Sequence, residues 1–264
     1  MTMTIPHHLP RGAATAVLLS LGATRTLPAP RIECSPLEAR ADTTANASLG
    51  DLNGDGHLDI VLAKGRHWPI LDVVLLNDGR GNFTERHNLG NRADRTYTAA
   101  LADLDGDGHL DVVVGNDAPD PKVIYFNDGH GRFVVAGTFG DPKWPTRNVS
   151  VADLNGDHRP DIVVANRGGA QEGTANYVCM NDGRGHFPAC RVLSGESATT
   201  IAAADLNGDG AIDLVVPHRD DGQSYFYLND GKGGFSKRIP FGPAKSATRA
   251  VAIGDLDGDG RPDI

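Results

Sequence analysis

The chain has 264 residues, with 25 Lys and Arg against 34 Asp and Glu and a formal net charge of −9. No basic stretch is interleaved with aromatic residues, so nucleic-acid binding has no support. Only 3 cysteines are present, and none stands near a histidine in a nucleophile-like arrangement.

In chain order, Arg11 precedes an apolar run from Ala13 to Leu21, which ends in Gly22-Ala23-Thr24. A basic n-region, a short apolar region and a small-residue cleavage site near Ala23 describe a secretory signal over 1–23. The run is too short to span a membrane, and no other stretch is long enough. The expected location is therefore secreted, periplasmic or cell surface; a disordered or strand-forming N-terminus is the alternative. Cys34 follows Arg31-Ile32-Glu33 rather than small residues, so a lipid-anchored cysteine is not expected. The segment 24–43 is expected to supply a ring-closing strand.

From there one acidic loop of nine residues recurs five times, with starts 52, 50, 52 and 50 residues apart. Such a period marks a repeat architecture with one supersecondary unit per repeat. Positions 1, 3, 5, 7 and 9 are Asp51, Asn53, Asp55, His57 and Asp59 in the first copy, and Asp103, Asp105, Asp107, His109 and Asp111 in the second. They are Asp153, Asn155, Asp157, Arg159 and Asp161 in the third, and Asp205, Asn207, Asp209, Ala211 and Asp213 in the fourth. The fifth has Asp255, Asp257, Asp259, Arg261 and Asp263.

Calcium is a hard cation that takes six to eight oxygen ligands at flexible angles. Positions 1, 3 and 5 offer side-chain oxygens, position 7 a backbone carbonyl, and the Asp at position 9 can close the site. One Ca2+ per loop, up to five, is the expected complement. Five such ions would offset the net charge of −9 almost completely, so the acidity argues for no cationic partner. The EF-hand reading fails, because position 12 is Leu62, Val114, Val164 or Val216 instead of the bidentate Glu it needs. Plain Asp/Asn/Gly turns remain the alternative, against which stand five copies in phase. At position 6, His158 replaces the glycine of the other loops, and a left-handed conformation there costs about 1–2 kcal/mol. The third site is expected to be the weakest.

Between acidic loops runs a second signal: Leu76-Asn-Asp-Gly-Arg-Gly-Asn-Phe83, Phe126-Asn-Asp-Gly-His-Gly-Arg-Phe133, Met180-Asn-Asp-Gly-Arg-Gly-His-Phe187 and Leu228-Asn-Asp-Gly-Lys-Gly-Gly-Phe235. Asn-Asp-Gly between apolar runs predicts hairpins. The apolar runs Ile60-Val-Leu62, Val112-Val-Val114, Ile162-Val-Val164 and Leu214-Val-Val216 predict strands buried on both faces. One unit is then strand A, acidic loop, strand B, longer loop, strand C, hairpin, strand D, which describes the blade of an all-β propeller. Cys179 and Cys190 flank the third hairpin and can pair in an oxidising compartment, although a simple register does not place them opposite one another.

The paired motifs, Asp-Leu-Asn-Gly-Asp-Gly-x-x-Asp with Leu-Asn-Asp-Gly-x-Gly-x-Phe, resemble the VCBS/FG-GAP repeat family, related to the integrin α-subunit propeller. The resemblance covers about 44–264 and implies a calcium-bearing, secreted or cell-surface propeller for adhesion or ligand binding. The Phe-Gly and Gly-Ala-Pro elements of integrin blades are missing, so integrin-like ligands are not implied. Blades are expected over about 44–90, 91–140, 141–193 and 194–242, with an incomplete fifth over 243–264. About four and a half blades suggest a piece of a larger, seven-bladed ring, whose open edge invites association.

Strand order puts the acidic loops and hairpins on one face, and the B–C loops and D-to-A connections on the other. Both tryptophans, Trp68 and Trp144, are expected on that second face with Arg66, His67, Arg147 and Arg249, as a surface for a glycan or protein ligand. Many other basic residues fall there too, among them Lys64, Lys122, Arg167 and Arg219. Solvated loops with each Trp packed on its own blade are the bland alternative. Six residues before each loop stand Ala45, Tyr97, Arg147, Thr199 and Arg249, expected near the channel mouth, where arginines suit a carboxylate or phosphate. The histidines do not converge, so a non-catalytic binding module is expected. A polysaccharide lyase or hydrolase, needing His67 or His218 beside a Tyr or Arg, and a purely structural spacer of a larger surface protein are the alternatives.

Overall fold

The computed structural model describes residues 36–38, 42–168 and 174–264. The expected signal over 1–23, Cys34 and most of 24–43 lie outside the described residues. All strands fall within Glu38–Ile264, and none of the described residues is helical. No helix among them is long and apolar enough to cross a membrane.

Four antiparallel sheets of four strands follow one another. The first holds β1 (Thr44–Gly50), β2 (Asp59–Lys64), β3 (Val73–Leu76) and β4 (Glu85–Asn88). The second holds β5 (Thr96–Ala102), β6 (Asp111–Asn116), β7 (Lys122–Asn127) and β8 (Phe133–Phe139). β9 (Thr146–Ala152), β10 (Asp161–Asn166), β11 (Asn176–Cys179) and β12 (Cys190–Ser194) make the third. β13 (Ala202–Ala204), β14 (Asp213–Val216), β15 (Gly222–Leu228) and β16 (Lys237–Ser246) make the fourth. Strand order in each sheet is the chain order, an up-and-down meander. β16 runs past the blade boundary expected at 242. The fifth repeat forms its acidic loop and a single bridge between Gly254 and Asp263.

The strands after the acidic loops are apolar on both faces because the blades stack face to face. β2, β6, β10 and β14 are buried throughout. Three of the four core clusters lie between two blades, and the fourth, Ile60, Leu62, Val73 and Leu75, belongs to the first blade alone. Val61, Val74 and Leu89 of the first blade pack with Ala99, Val112 and Tyr125 of the second. Equivalent clusters join the second to the third and the third to the fourth. The innermost strands touch in order, β1 with β5, β5 with β9 and β9 with β13, and the four sheets form an open arc. Hydroxyls stitch this inner layer: Ser48 Oγ donates to the Ala99 carbonyl at 2.6 Å and Ser150 Oγ to that of Ile201 at 2.8 Å.

Cys179 and Cys190 are disulfide-bonded, and they are direct cross-strand partners. The simple register, the one in which Asn127 faces Phe133 in the second blade, would set Cys179 against Ala189. The second blade is the exception, for in the first and fourth blades Leu75 faces Arg86 and Tyr227 faces Arg238, the positions equivalent to Cys179 and Cys190. The third blade shares that register, which sets the two sulfurs side by side.

Candidate functional site

The acidic loops all fold the same way. Position 1 collects backbone N–H groups: Asp51 Oδ1 accepts from Gly54 at 2.8 Å and from Asp55 at 3.2 Å, and its Oδ2 accepts from Gly56 at 2.9 Å. Position 5 accepts from position 7, as in His57 N to Asp55 Oδ1 at 2.9 Å. The fold holds even in the third loop, where His158 takes a φ of 63° and donates its N–H to Asp153 Oδ2 at 2.8 Å.

Position 9 ties the loop to the blade. Asp111 Oδ2 accepts from Leu104 N and its Oδ1 from Asn127 N, both at 2.9 Å. Asp59, Asp161 and Asp213 repeat this bridge between acidic loop and hairpin. Each oxygen keeps a second lone pair for a cation. Carboxylate oxygens of Asp103, Asp105 and Asp111 lie within 4.8 Å of one another, as do those of Asp255, Asp257 and Asp263. Burial pushes Asp111 up to about 6, the N–H groups of Asn127 and Leu104 oppose that, and the neighbouring carboxylates of Asp105 and Asp107 add to it. A dication among these oxygens would relieve that crowding. An all-oxygen donor set fits calcium rather than zinc; in the third loop His158 Nδ1 also lies 3.7 Å from Asp153 Oδ2.

At position 7 the side chain covers the hairpin of its own blade. A Cβ on Gly129 would meet the His109 ring at 2.6 Å, and one on Gly183 would meet the Arg159 guanidinium at 2.5 Å. The hairpin asparagine does more than turn the chain. Asn127 Nδ2 donates to the Leu110 carbonyl of its own loop at 3.0 Å and to the Leu52 carbonyl of the preceding blade at 2.8 Å. Asn181 and Asn229 make the same pair of bonds, to Leu104 and Pro160 and to Leu154 and Ile212.

On the opposite face, residues of all five repeats line one cavity of about 620 Å3. Ala45, Tyr97, Arg147, Thr199 and Arg249, the residues six before each loop, all line it, together with Arg66 and His67. Arg147 is 12% exposed, pairs with Asp117 at 2.6 Å and lies 4.3 Å over the Tyr97 ring. Tyr97 Oη is 3.1 Å from His67 Nδ1. Arg167 and Arg219 complete the lining arginines. Their signal was present in the repeat: each stands six residues after a loop's last Asp, where the second blade has Asp117.

The two tryptophans part company. Trp68 is 68% exposed but lies outside the cavity wall. Trp144 is not on the ligand face at all: it is 6% exposed and belongs to the core between the second and third blades. Its ring stacks on Tyr177 at 3.9 Å and fits over Gly140, where a Cβ would come within 2.2 Å of it. Two lysines of the same loops are also interior. Lys64 pairs with Glu38, and Lys122 Nζ donates to the carbonyls of Asp120, Asp141, Pro142 and Trp144, binding a B–C loop to the next blade.

Blades of four antiparallel strands, each with an acidic loop of oxygen donors between its first two strands, define a repeat β-propeller. The FG-GAP-like repeat model matches residues 51–114, 103–164, 159–216 and 205–264, and the chain belongs to that family. Among solved structures, a Photorhabdus luminescens Tc holotoxin pore is 26% identical over 86% of this chain, with a TM-score of 0.45. The V. cholerae biofilm matrix protein Bap1 is 22% identical over 84%, with a TM-score of 0.46. This chain spans 11% and 34% of those two chains.

Proposed function

We propose that this chain is a secreted, calcium-stabilised FG-GAP module that binds a glycan or protein on the face opposite its acidic loops. The observation that carries the calcium reading is the repeated donor set: five loops present the same oxygens, and four of them are tied to a hairpin through the position 9 carboxylate. Family membership supports an adhesion or structural repeat role. The ion would be held by Asp51, Asn53, Asp55 and Asp59 and by the matching residues of the other loops. It would neutralise their carboxylates and lock each loop against its hairpin. Calcium titration followed by metal analysis of the desalted protein tests this. Up to five ions per chain are expected, with Asp205→Ala removing one; a protein that retains none refutes the reading.

A second reading is favoured by one contact. His67 beside Tyr97, with Arg66 and Arg147 over the same ring, meets the geometric requirement set for a polysaccharide lyase or hydrolase. Incubation with uronate polymers separates the two: new reducing ends or unsaturated products favour the enzyme, and unchanged polymer favours the binder.

A further inference from the structure

The cavity has a composition unlike the rest of the molecule. The chain carries −9 overall, yet five arginines, Arg66, Arg147, Arg167, Arg219 and Arg249, line this one space, and among the described residues no carboxylate does. Among the described residues two of them have an ion-pair partner: Arg147 with Asp117, and Arg219 with Asp220 at 3.3 Å. Arg66, Arg167 and Arg249 have none among the described residues. Like charges held together without a counter-charge destabilise the protein unless something offsets them. Burial and then the neighbouring Arg167 depress the Arg219 guanidinium, with Arg249 and Arg147 acting in the same direction.

Two of the arginines, Arg147 and Arg66, are also held in place. Arg147 is fixed by Asp117, by the Tyr97 face and by a bond from its own Nη1 to the Thr146 carbonyl at 3.0 Å. Arg66 sits at the left-handed φ of 53°, pinned by its N–H to the Thr96 carbonyl at 3.1 Å. Non-glycine residues are kept in that region only where their surroundings over-determine them.

From these observations we infer that the cavity is the binding site for an acidic oligosaccharide, its carboxylate or sulfate groups held by Arg66, Arg167 and Arg249. Guanidinium forks match planar anions bidentately. The space is far larger than an inorganic anion and falls within the range of small-ligand sites. Between the arginines, Asn46, Asn148, Thr199 and Thr200 supply hydroxyls and amides suited to sugar hydroxyls, and Tyr97 supplies an aromatic ring. The inference rests on the ligand-binding reading above and names the place and the ligand class.

The test is isothermal titration of the full chain, in millimolar calcium, with trigalacturonate, a sulfated heparin disaccharide and neutral maltotriose. Binding of the carboxylated or the sulfated probe, weakening with added salt, is the expected result; which of the two binds names the source of the charge. Arg167→Gln with Arg249→Gln, both exposed and unpaired, is expected to weaken binding at least about tenfold per arginine. Arg184→Gln, on the hairpin face, is expected to leave it unchanged. Equal affinity for maltotriose, or an unaltered affinity in the double variant, overturns the arginine cavity while leaving a ligand-binding module intact. No binding of any of the three probes overturns the ligand class.

Discussion

Asn127 Nδ2 lies 2.8 Å from the Leu52 carbonyl, joining residues 75 apart across the boundary between the first two blades. The same side chain accepts the N–H groups of Gly129 and Gly131 and donates to Leu110, so one buried amide makes four hydrogen bonds. The hairpin asparagine is therefore a staple between blades.

Asn127→Ala leaves buried carbonyls and amides without partners and is expected to destabilise the chain by about 2–4 kcal/mol. Asn77 is the matching residue of the first blade. Its Nδ2 reaches only Leu58 of its own loop, so Asn77→Ala should cost about 1 kcal/mol. Denaturant melts of the two variants side by side check the difference; equal losses would remove the cross-blade bond from the account.

Asp72 predicts a pH dependence. Its Oδ1 accepts Lys64 N at 2.7 Å, and its Oδ2 faces Thr96 Oγ1 at 2.9 Å. That hydroxyl also faces Asn116 Oδ1 at 2.8 Å and has one proton for two acceptors, so a protonated Asp72 satisfies all three groups. Burial pushes the carboxyl from 3.8 up to about 7. A folded value above the unfolded one means stability fully present below about 4 and lost as pH rises to about 7. Asp94, raised chiefly by burial, acts in the same sense. Asp72→Asn should flatten the stability profile over this window. The third blade already has an amide there, since Asn176 Oδ1 accepts Asn166 N at 2.8 Å. An unchanged slope in urea melts across that range would count against Asp72.

The tryptophans give a contrast in stability. Trp144→Ala removes a buried ring from the core and is expected to cost about 3–5 kcal/mol. Trp68→Ala changes an exposed ring and should stay within about 0.5 kcal/mol. Circular-dichroism melts of the two variants decide it.

These residues also show what the sequence discloses. The acidic loops and the Asn-Asp-Gly hairpins, read in phase, yield the four-stranded blades and their strand order, because both signals are local. The fate of Trp144 is not local: its burial depends on Tyr177, more than thirty residues on in β11, and on the space above Gly140. Lys122 reads as a loop cation until four carbonyls from two segments close on it. The pairing of Cys179 with Cys190 turns on a ladder one residue off the simplest hairpin register, which the first and fourth blades share. Of the cavity, the residues six before each loop are visible as a repeat position and loop order places Arg167 and Arg219 on the same face, but their convergence on one space depends on how the blades stack.

The most direct measurement is thermal unfolding across a calcium titration, with EGTA and magnesium as controls. A ligand that binds only the folded chain raises its stability by mass action. The Tm is expected to climb with calcium, fall in EGTA and ignore magnesium. His158→Gly, relieving the left-handed strain, should raise the whole curve by about 1 kcal/mol. A melt indifferent to EGTA would reduce the five loops to turns and contradict the calcium reading.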